Sequence, residues 1–281
     1  MNRIKRFEGL FVEKVYKALQ AHISSFIRDY KKYGQDYAVR TIGQDERIGK
    51  VISRMYKYIT PLEARIVYGD ILKKYGVPVK RASFGFSDTW NKDVERYLER
   101  YLLDKAVLPI SARTKDFILR ILKKGVEEGW GVERIVRELK ESDITKNRAR
   151  TIVRTESVRA ANIGYMIGAF DSPWEQVKEW VAVDDARTRP THRHSTGVDG
   201  EKRDFLKPFS NGLLYPGDPN APAKEVINCR CRVTFRVKRD AKGNPIPKRQ
   251  VSPVRNRIID ILFMGFIEGA VQRVIDNLMS E

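Results

Sequence analysis

Four of the five cysteine and histidine residues of this 281-residue chain lie between positions 192 and 231. His192 and His194 follow Pro190 in a polar stretch, and Cys229 and Cys231 lie where apolar and basic residues alternate. A strand with this alternation directs both thiols to one face. Two thiolates with one or two imidazoles form a tetrahedral zinc ligand set. Neither pair has zinc-finger spacing, so two small buried side chains are the alternative interpretation of the cysteines.

Charged residues flank these positions. Arg154 and Glu156 lie on a predicted helix, and Asp185 and Arg187 lie in the loop after a predicted strand. Opposite charges removed from water are stabilised as pairs. We therefore expect these four residues to form buried salt bridges that hold the helix to the loop.

The main enzymatic hypothesis for the same stretch is a nuclease that cleaves DNA or RNA. His192 or His194 would act as a general base beside Asp184, and Arg154 or Arg187 would stabilise the phosphate charge. The sequence shows no metal-nuclease motif and no phosphate loop of the form G-x-x-x-x-G-K-[ST]. We therefore expect a protein that is not an enzyme, with the nuclease as its alternative.

The first half of the chain is predicted to be helical. Apolar residues recur there at spacings of three and four, the pattern of amphipathic helices. Gly34 is expected to end the first helix. Another helix is expected to end at Thr60, and the next to begin with Pro61.

After residue 143 the pattern becomes mixed. A long helix is predicted over residues 145–170, and alternating side chains over 177–182 and 229–238 predict strands. The expected fold class is α+β, with a helical N-terminal region, a compact α/β domain with a small sheet, and a C-terminal helix. The predicted boundaries are a basic helical region over 1–143, the α/β domain over 144–238, a linker over 239–253 and a C-terminal docking helix over 254–281.

The C-terminal helix carries apolar residues on more than one face and contains the pattern Gly265-x-x-x-Gly269. It follows a polar segment that contains proline and glycine. Two interpretations stay open. The helix docks on a partner or on a second copy of the chain, or it packs back on its own domain.

The chain is strongly basic, with 54 Lys and Arg against 36 Asp and Glu and a net charge of +18. The excess lies in residues 1–150, which carry +13, and in residues 201–250, which carry +7. An acidic partner is expected, most often nucleic acid, and a solvated basic surface is the alternative. No motif reads bases, so contact with double-stranded DNA would be electrostatic. The candidate contacts are Lys31, Lys32, Lys73, Lys74, Lys123, Lys124, Arg230, Arg232 and Arg236.

Composition argues against membrane and secreted classes. No segment approaches the ~20 uninterrupted apolar residues of a membrane span, and the N-terminus lacks the apolar core of a signal peptide. Two cysteines are too few for a disulfide scaffold. We expect a protein without a membrane span that matures in a reducing cytoplasm.

Several motifs follow one another in a set order over residues 145–237. Together they resemble the phage Mu F-like minor head domain, or phage head morphogenesis domain, whose members place a variable helical segment in front of it. The resemblance covers about a third of the chain. The motifs are Arg154-Thr155-Glu156, Asn162, Gly168, Trp180, Asp184-Asp185-x-Arg187-Thr188-Arg189-x-x-His192, Gly200, Phe205, Tyr215-Pro216-Gly217-Asp218-Pro219 and Asn228-Cys229-Arg230-Cys231.

This resemblance implies a minor structural protein of a tailed-phage head. Members of the family associate with the portal and the procapsid and are implicated in DNA packaging or delivery. The implied partners are the portal protein, the major capsid or scaffolding protein, and double-stranded DNA. The implied location is the virion, in the head near the portal vertex, after assembly in the host cytoplasm.

The resemblance also bears on the metal hypothesis. Family members often carry cysteine at the positions of Arg189 and His192, in a D-x-R-T-C-x-x-C arrangement. Histidine can replace cysteine as a zinc ligand, which favours His192 as a ligand together with Cys229 and Cys231.

The fourth zinc ligand stays open. Arginine does not replace a ligating cysteine, and His194 or Asp185 would have to supply the missing atom. Other motif positions are expected to serve the structure rather than metal binding: Arg154, Glu156, Asp185, Arg187 and Asn228.

Overall fold

Helices and a three-stranded antiparallel sheet build the chain, which confirms the α+β class. The computed structural model describes residues 2–42, 46–77, 79–100, 106–141, 144–183, 185–248 and 255–264. None of the helices in these ranges is both long and apolar enough to cross a bilayer. The helices are α1 Asn2–Tyr33, α2 Gln35–Thr41, α3 Arg47–Lys74, α4 Val79–Arg100, α5 Leu108–Glu127, α6 Val132–Glu141, α7 Ile144–Phe170, α8 Ala223–Val226 and α9 Arg255–Met264. The strands are β1 Gln176–Val181, β2 Lys202–Asp204 and β3 Arg232–Val237.

The chain divides into two units by its internal contacts. The first unit comprises residues 1–55 and 100–153, and the second comprises residues 56–99 and the chain from residue 154 onward. α3 and α7 therefore contribute residues to both units. Most of α4 and the second part of α3 lie in the second unit, although the sequence pattern grouped them with the N-terminal helices.

The first unit is built from amphipathic helices that bury their apolar faces. α1 ends at Tyr33 because Gly34 has a φ of +81°, a conformation that glycine adopts without strain, and α2 begins directly after it. The expected stop at Gly34 is therefore confirmed. The buried core of this unit includes Ile23, Phe26, Ile27, Ala38, Ile42, Phe117, Ile118, Leu122, Ile135, Val136 and Leu139.

α3 is continuous and carries Pro61 in its interior. The prediction of two helices that meet at Thr60 and Pro61 is therefore wrong. Proline removes the backbone hydrogen bond to the carbonyl of Lys57, which is a solvent-exposed residue, so water can bind there instead. Thr60 is fully buried and its hydroxyl donates a 3.1 Å hydrogen bond to the carbonyl of Ala160 on α7.

In the second unit, α3 and α7 approach each other closely because α7 has glycine at the contact. A Cβ on Gly168 would lie 2.2 Å from the carbonyl oxygen of Ala64. A Cβ on Gly164 would lie 2.5 Å from the carbonyl oxygen of Thr60. Both distances are too short for a side chain, so the two glycines set the separation of these helices.

The sheet has the order β2–β1–β3, and both pairs are antiparallel. Trp180 pairs with Val233 and Lys178 with Phe235, so these four side chains share one face of the sheet. The alternation predicted for the two long strands is confirmed, although β3 begins only at Arg232, after the cysteines. The buried face of β1 carries Lys178 and Trp180 rather than its valines.

Residues 239–248 fold back on the segment that precedes β1. The amide of Ile246 donates to the carbonyl of Lys238 at 3.0 Å, and the amide of Glu175 donates to the carbonyl of Ile246 at 3.0 Å. The predicted linker is therefore wrong for these residues, because their backbone groups are paired within the second unit. Residues 249–254 lie outside the described part of the chain.

α9 packs on its own unit. Arg255 binds the carboxylates of Asp93 at 2.9 Å and Asp171 at 2.7 Å. The buried apolar side chains of this helix are Ile258, Ile259, Ile261, Leu262 and Phe263. Of the two interpretations of the C-terminal helix, packing on its own domain is therefore correct for residues 255–264. The rest of that helix, residues 265–281, lies outside the described residues.

Lys178 places an amine inside the second unit, where its side chain is fully buried. Its Nζ donates a 2.6 Å hydrogen bond to the carbonyl of Leu214 and lies 4.9 Å from the ring centroid of Phe209. Burial lowers the pKa of Lys178 well below its ordinary value, while the charge of Asp218 acts in the opposite direction. The fold therefore favours the uncharged amine.

Alanine at position 168 tests the contact between α3 and α7. The added Cβ would overlap the carbonyl of Ala64, so we expect Gly168→Ala to lower the free energy of unfolding by about 2–3 kcal/mol. Urea denaturation followed by circular dichroism measures this value. Gly9→Ala in α1 is the control: nothing lies within 4 Å of its Cβ, and stability should be unchanged or higher by about 0.5–1 kcal/mol. Equal stability of the two variants would contradict the close contact.

Lys178→Met tests the buried amine through pH. The folded pKa lies below the unfolded value, so the unfolded state binds more protons between the two pKa values. The stability of the wild type should therefore rise relative to Lys178→Met as the pH increases from neutral to about 10. Urea unfolding of both proteins across this range gives the comparison. Lys73→Met, at an exposed position, should follow the wild type. Parallel curves for Lys178→Met and the wild type would refute the prediction.

Candidate metal centre

The two cysteines follow a tight turn at Asn228. This residue has a φ of +60°, which asparagine tolerates better than most side chains. The amide of Cys229 donates to the carbonyl of Val226 at 3.1 Å, and the amide of Asn228 donates to the hydroxyl of Thr155 on α7 at 3.0 Å. Asn228 thus shapes the backbone that presents Cys229.

Asn162, buried on α7, holds the segment after this turn. Its Nδ2 donates to the carbonyl of Cys231 at 3.2 Å and to the carbonyl of Val158 at 2.9 Å. Its Oδ1 accepts the amide of Val233 at 2.8 Å. This side-chain amide therefore bonds the backbone on both sides of the start of β3, which fixes Cys231 against α7.

His192 is presented by a short 3₁₀ helix, Pro190–His192. Proline suits the first position of a helical turn because its φ is fixed and its missing N–H is not needed there. The imidazole is 1% exposed and packs edge-on against the ring of Trp180, with centroids 4.9 Å apart. Trp180 of β1 thus forms one wall of the histidine pocket.

The structure brings His192, Cys229 and Cys231 together. Nδ1 of His192 lies 3.8 Å from Sγ of Cys229 and 3.5 Å from Sγ of Cys231. The three ligand atoms lie within 4.8 Å of one another, all three residues are buried, and both cysteines are free thiols. A hydrogen bond between the thiols lowers the pKa of Cys229 and, with burial, raises the pKa of Cys231. The two thiols therefore titrate as a coupled pair.

The other ring nitrogen of His192 faces a carboxylate. Nε2 lies 3.0 Å from Oε2 of Glu225, in an orientation that is not that of an aligned hydrogen bond. The same oxygen accepts the hydroxyl of Thr191 at 2.8 Å. In many metal sites a carboxylate at the far nitrogen orients the ligating imidazole and increases its basicity. Glu225 occupies that position.

These residues fit a zinc ion. Two thiols and one imidazole nitrogen converge in a buried space, and they are ligand atoms that zinc prefers. Within the described ranges the group contains neither of the expected fourth ligands. His194 is exposed, with Nδ1 3.2 Å from the carbonyl of Asp199, and Asp185 is bound to Arg230. The structure therefore places neither His194 nor Asp185 as the fourth ligand.

Asp185 and Arg230 form a bidentate ion pair, with two contacts of 2.5 Å. The hydrogen bond from Arg230 is the main reason that the pKa of Asp185 is lowered. Arg187 lies 3.9 Å from the same carboxylate and is exposed. Arg230, which was predicted to contact nucleic acid, instead ties the Asp185 loop to the segment between the two cysteines.

Glu156 is buried, and the ion pair described for it lies within α7. It accepts Arg159 at 3.0 and 3.1 Å and the hydroxyl of Tyr56 at 2.8 Å. Arg159 also donates from Nε to the carbonyl of Gly217 at 2.9 Å. The ion pair described for Glu156 is therefore with Arg159 on the same helix, whereas a salt bridge to the Asp185 loop was expected. Arg159 in turn connects α7 to the loop that contains Gly217. Arg154 is half-buried on α7.

The other predicted nucleic-acid contacts have varied surroundings. Four more of them lie close to carboxylates: Lys31 to Glu133 at 2.8 Å, Arg236 to Glu179 at 2.7 Å, Lys123 to Glu127 at 3.8 Å and Lys124 to Glu128 at 3.8 Å. Nζ of Lys32 lies 4.9 Å from the ring centroid of Tyr33. The exposed positions at the end of α3 and the start of β3 are Lys73, Lys74 and Arg232.

The described geometry does not assemble the nuclease site. His192 is buried, with one ring nitrogen towards the thiols and the other towards Glu225. Nδ1 of His194 lies beside a backbone carbonyl. Asp184, the carboxylate expected beside these histidines, lies outside the described residues.

Sequence reasoning missed Glu225, Arg159 and Lys178, and it named Thr155 in a motif without giving it a role. Glu225 has no motif or spacing that relates it to His192. Arg159 was detectable, because it follows Glu156 by three residues on one helix, a spacing at which opposite charges meet.

Comparison with known proteins agrees with the motif resemblance. A family model described as "Phage Mu protein F like protein" matches residues 116–234, which include His192, Cys229, Cys231 and Glu225. The chain is also 26% identical over 123 residues to "Uncharacterized protein YqbB" of Bacillus subtilis strain 168. That similarity covers 42% of this chain and 40% of YqbB, so the chain matches less than half the length of this relative. No solved structure matches the chain. The predicted resemblance to phage Mu F-like proteins is thus confirmed over residues 116–234.

Proposed function

We propose that this chain is a minor structural protein of a tailed-phage head. It associates with the portal and the capsid interior and assists head assembly and DNA packaging or delivery. The supporting observation is the match of residues 116–234 to the phage Mu F-like family, which suggests a phage head morphogenesis protein. In that range, Thr155, Arg159 and Asn162 hold loops to α7.

The partners in this proposal are the portal protein, the major capsid or scaffolding protein, and double-stranded DNA. The location is the phage head near the portal vertex, reached from the host cytoplasm. DNA contact would use phosphate groups and would be independent of sequence. Lys73, Lys74 and Arg232 suit this contact because they are exposed, whereas Arg230 and Arg236 are paired with carboxylates.

We also propose that His192, Cys229 and Cys231 hold a structural zinc ion. The supporting observations are the convergence of their ligand atoms within 4.8 Å and the position of Glu225 at the far imidazole nitrogen. A bound zinc ion would cross-link the 3₁₀ helix to the cysteine turn before β3 and so stabilise the loops of the small sheet. Among the described residues this group supplies three ligands, and the fourth position is left to a ligand from outside the group.

Metal analysis of matched histidine variants tests the zinc proposal. We expect about one zinc ion per chain in wild-type protein purified without chelators. His192→Gln and Cys229→Ser should lose the metal and melt at a lower temperature, because three ligands become two. His194→Gln is the control, since this exposed histidine lies two residues away and outside the cluster. The proposal would be wrong if the purified wild-type protein contained no zinc, or if His192→Gln contained as much zinc as the wild type.

Cross-linking mass spectrometry of purified heads tests the proposed place of the chain. DNA-filled heads of the phage that encodes it should contain the chain and give cross-links between its lysines and the portal protein. Heads from a phage that lacks its gene should lose these cross-links and provide the control. Heads of normal composition from which the chain is absent would contradict the proposal.

A further inference from the structure

A cleft of about 620 Å³ opens in the first unit, among α1, α2 and the start of α3. Its lining carries four basic side chains, Arg28, Lys32, Arg47 and Lys50. This site is remote in sequence from the residues matched by the family model and from the cysteine–histidine cluster. Its volume is in the range of ligand-binding clefts.

The cleft has an excess of positive charge. The two carboxylates among its described lining residues each lie near a basic neighbour: Asp29 at 3.3 Å from Arg28, and Glu46 at 3.2 Å from Lys50. Arg47 reaches across to the hydroxyl of Ser25 on α1 at 3.4 Å. With four cations and two carboxylates among the described residues of its lining, the cleft favours an anionic ligand.

Two tyrosine rings give the cleft a second property. Tyr33 and Tyr37 both line it, and they remain 52% and 46% exposed. Their centroids lie 4.5 Å apart because the turn at Gly34 brings the end of α1 and the start of α2 together. Lys32 lies over the Tyr33 ring, 4.9 Å from its centroid. Exposed aromatic rings beside cations are the surface on which unpaired nucleobases stack.

We propose that this cleft binds single-stranded nucleic acid. Arg47 would contact a phosphate of the strand, and an unpaired base would stack on the Tyr33–Tyr37 pair. Duplex DNA fits this site poorly, because the faces of its bases are already covered by their neighbours. An acidic peptide would match the cations but gives no role to the exposed rings. The inference therefore goes beyond the electrostatic contact with duplex DNA proposed above.

Fluorescence anisotropy with the full chain and a short labelled oligothymidylate tests this proposal. We expect Tyr33→Ala and Tyr37→Ala each to weaken binding by about tenfold through the loss of stacking. Arg47→Ala should lower the slope of log affinity against log salt by about 0.7, the value for one phosphate contact on a single strand. Tyr33→Phe and Tyr37→Phe keep the ring and should bind as the wild type does.

Tyr58→Ala, at a 43% exposed tyrosine of α3 outside the cleft, is the matched control and should bind normally. Tighter binding of a duplex of equal length, no measurable binding of the oligothymidylate, or unchanged affinity in both Tyr→Ala variants would overturn the proposal. Binding of polyglutamate that persists in both Tyr→Ala variants and displaces the oligothymidylate would assign the cleft to an acidic protein instead. The presence of the chain in heads is measured separately, so failure of this test leaves the proposed function open to its own test.

Discussion

α7 carries polar side chains into the interior of the second unit, and three of them, Thr155, Arg159 and Asn162, bind the backbone of loops. Asn162 is 1% exposed and bonds both sides of the start of β3, while Thr155 and Arg159 bind the cysteine turn and the segment at residue 217. A buried polar group that loses its partner costs about 1–3 kcal/mol, so each loop is held by the side chain that it satisfies. Gly164 and Gly168 allow this arrangement because, without side chains, they let the backbone of α3 approach the backbone of α7 closely.

The cysteine–histidine cluster depends on this constraint. Cys229 and Cys231 belong to backbone that α7 holds, whereas His192 comes from a 3₁₀ helix against the sheet, where Trp180 packs on its ring. The three ligand atoms therefore come from two segments of the chain that are anchored separately. Glu225 faces the nitrogen of the imidazole that points away from the thiols. The sheet has three strands in the described part of the chain, and its main contribution to the site is the wall formed by β1.

Local patterns predicted the elements well, and long-range partners explain most of what they missed. Apolar residues that recur with periods of 3.6 and 2 residues predicted α1, α7 and the two long strands. The motif resemblance favoured His192 as a partner of the two cysteines. Pro61 does not end its helix, because burial of Thr60 against α7 continues α3 past it. Composition suggested a linker over residues 239–248, but their backbone pairs with residues before β1. Arg230 looked like part of a basic face because its partner, Asp185, is distant in sequence.

In the proposed zinc site, three protein atoms of known type meet at one metal ion. X-ray absorption spectroscopy at the zinc edge on the purified full chain measures this directly. We expect two sulfur ligands at about 2.3 Å from the zinc ion and at least one nitrogen ligand at about 2.0 Å. A shell of oxygen and nitrogen alone, or a sample that takes up no zinc from added salt, would contradict it.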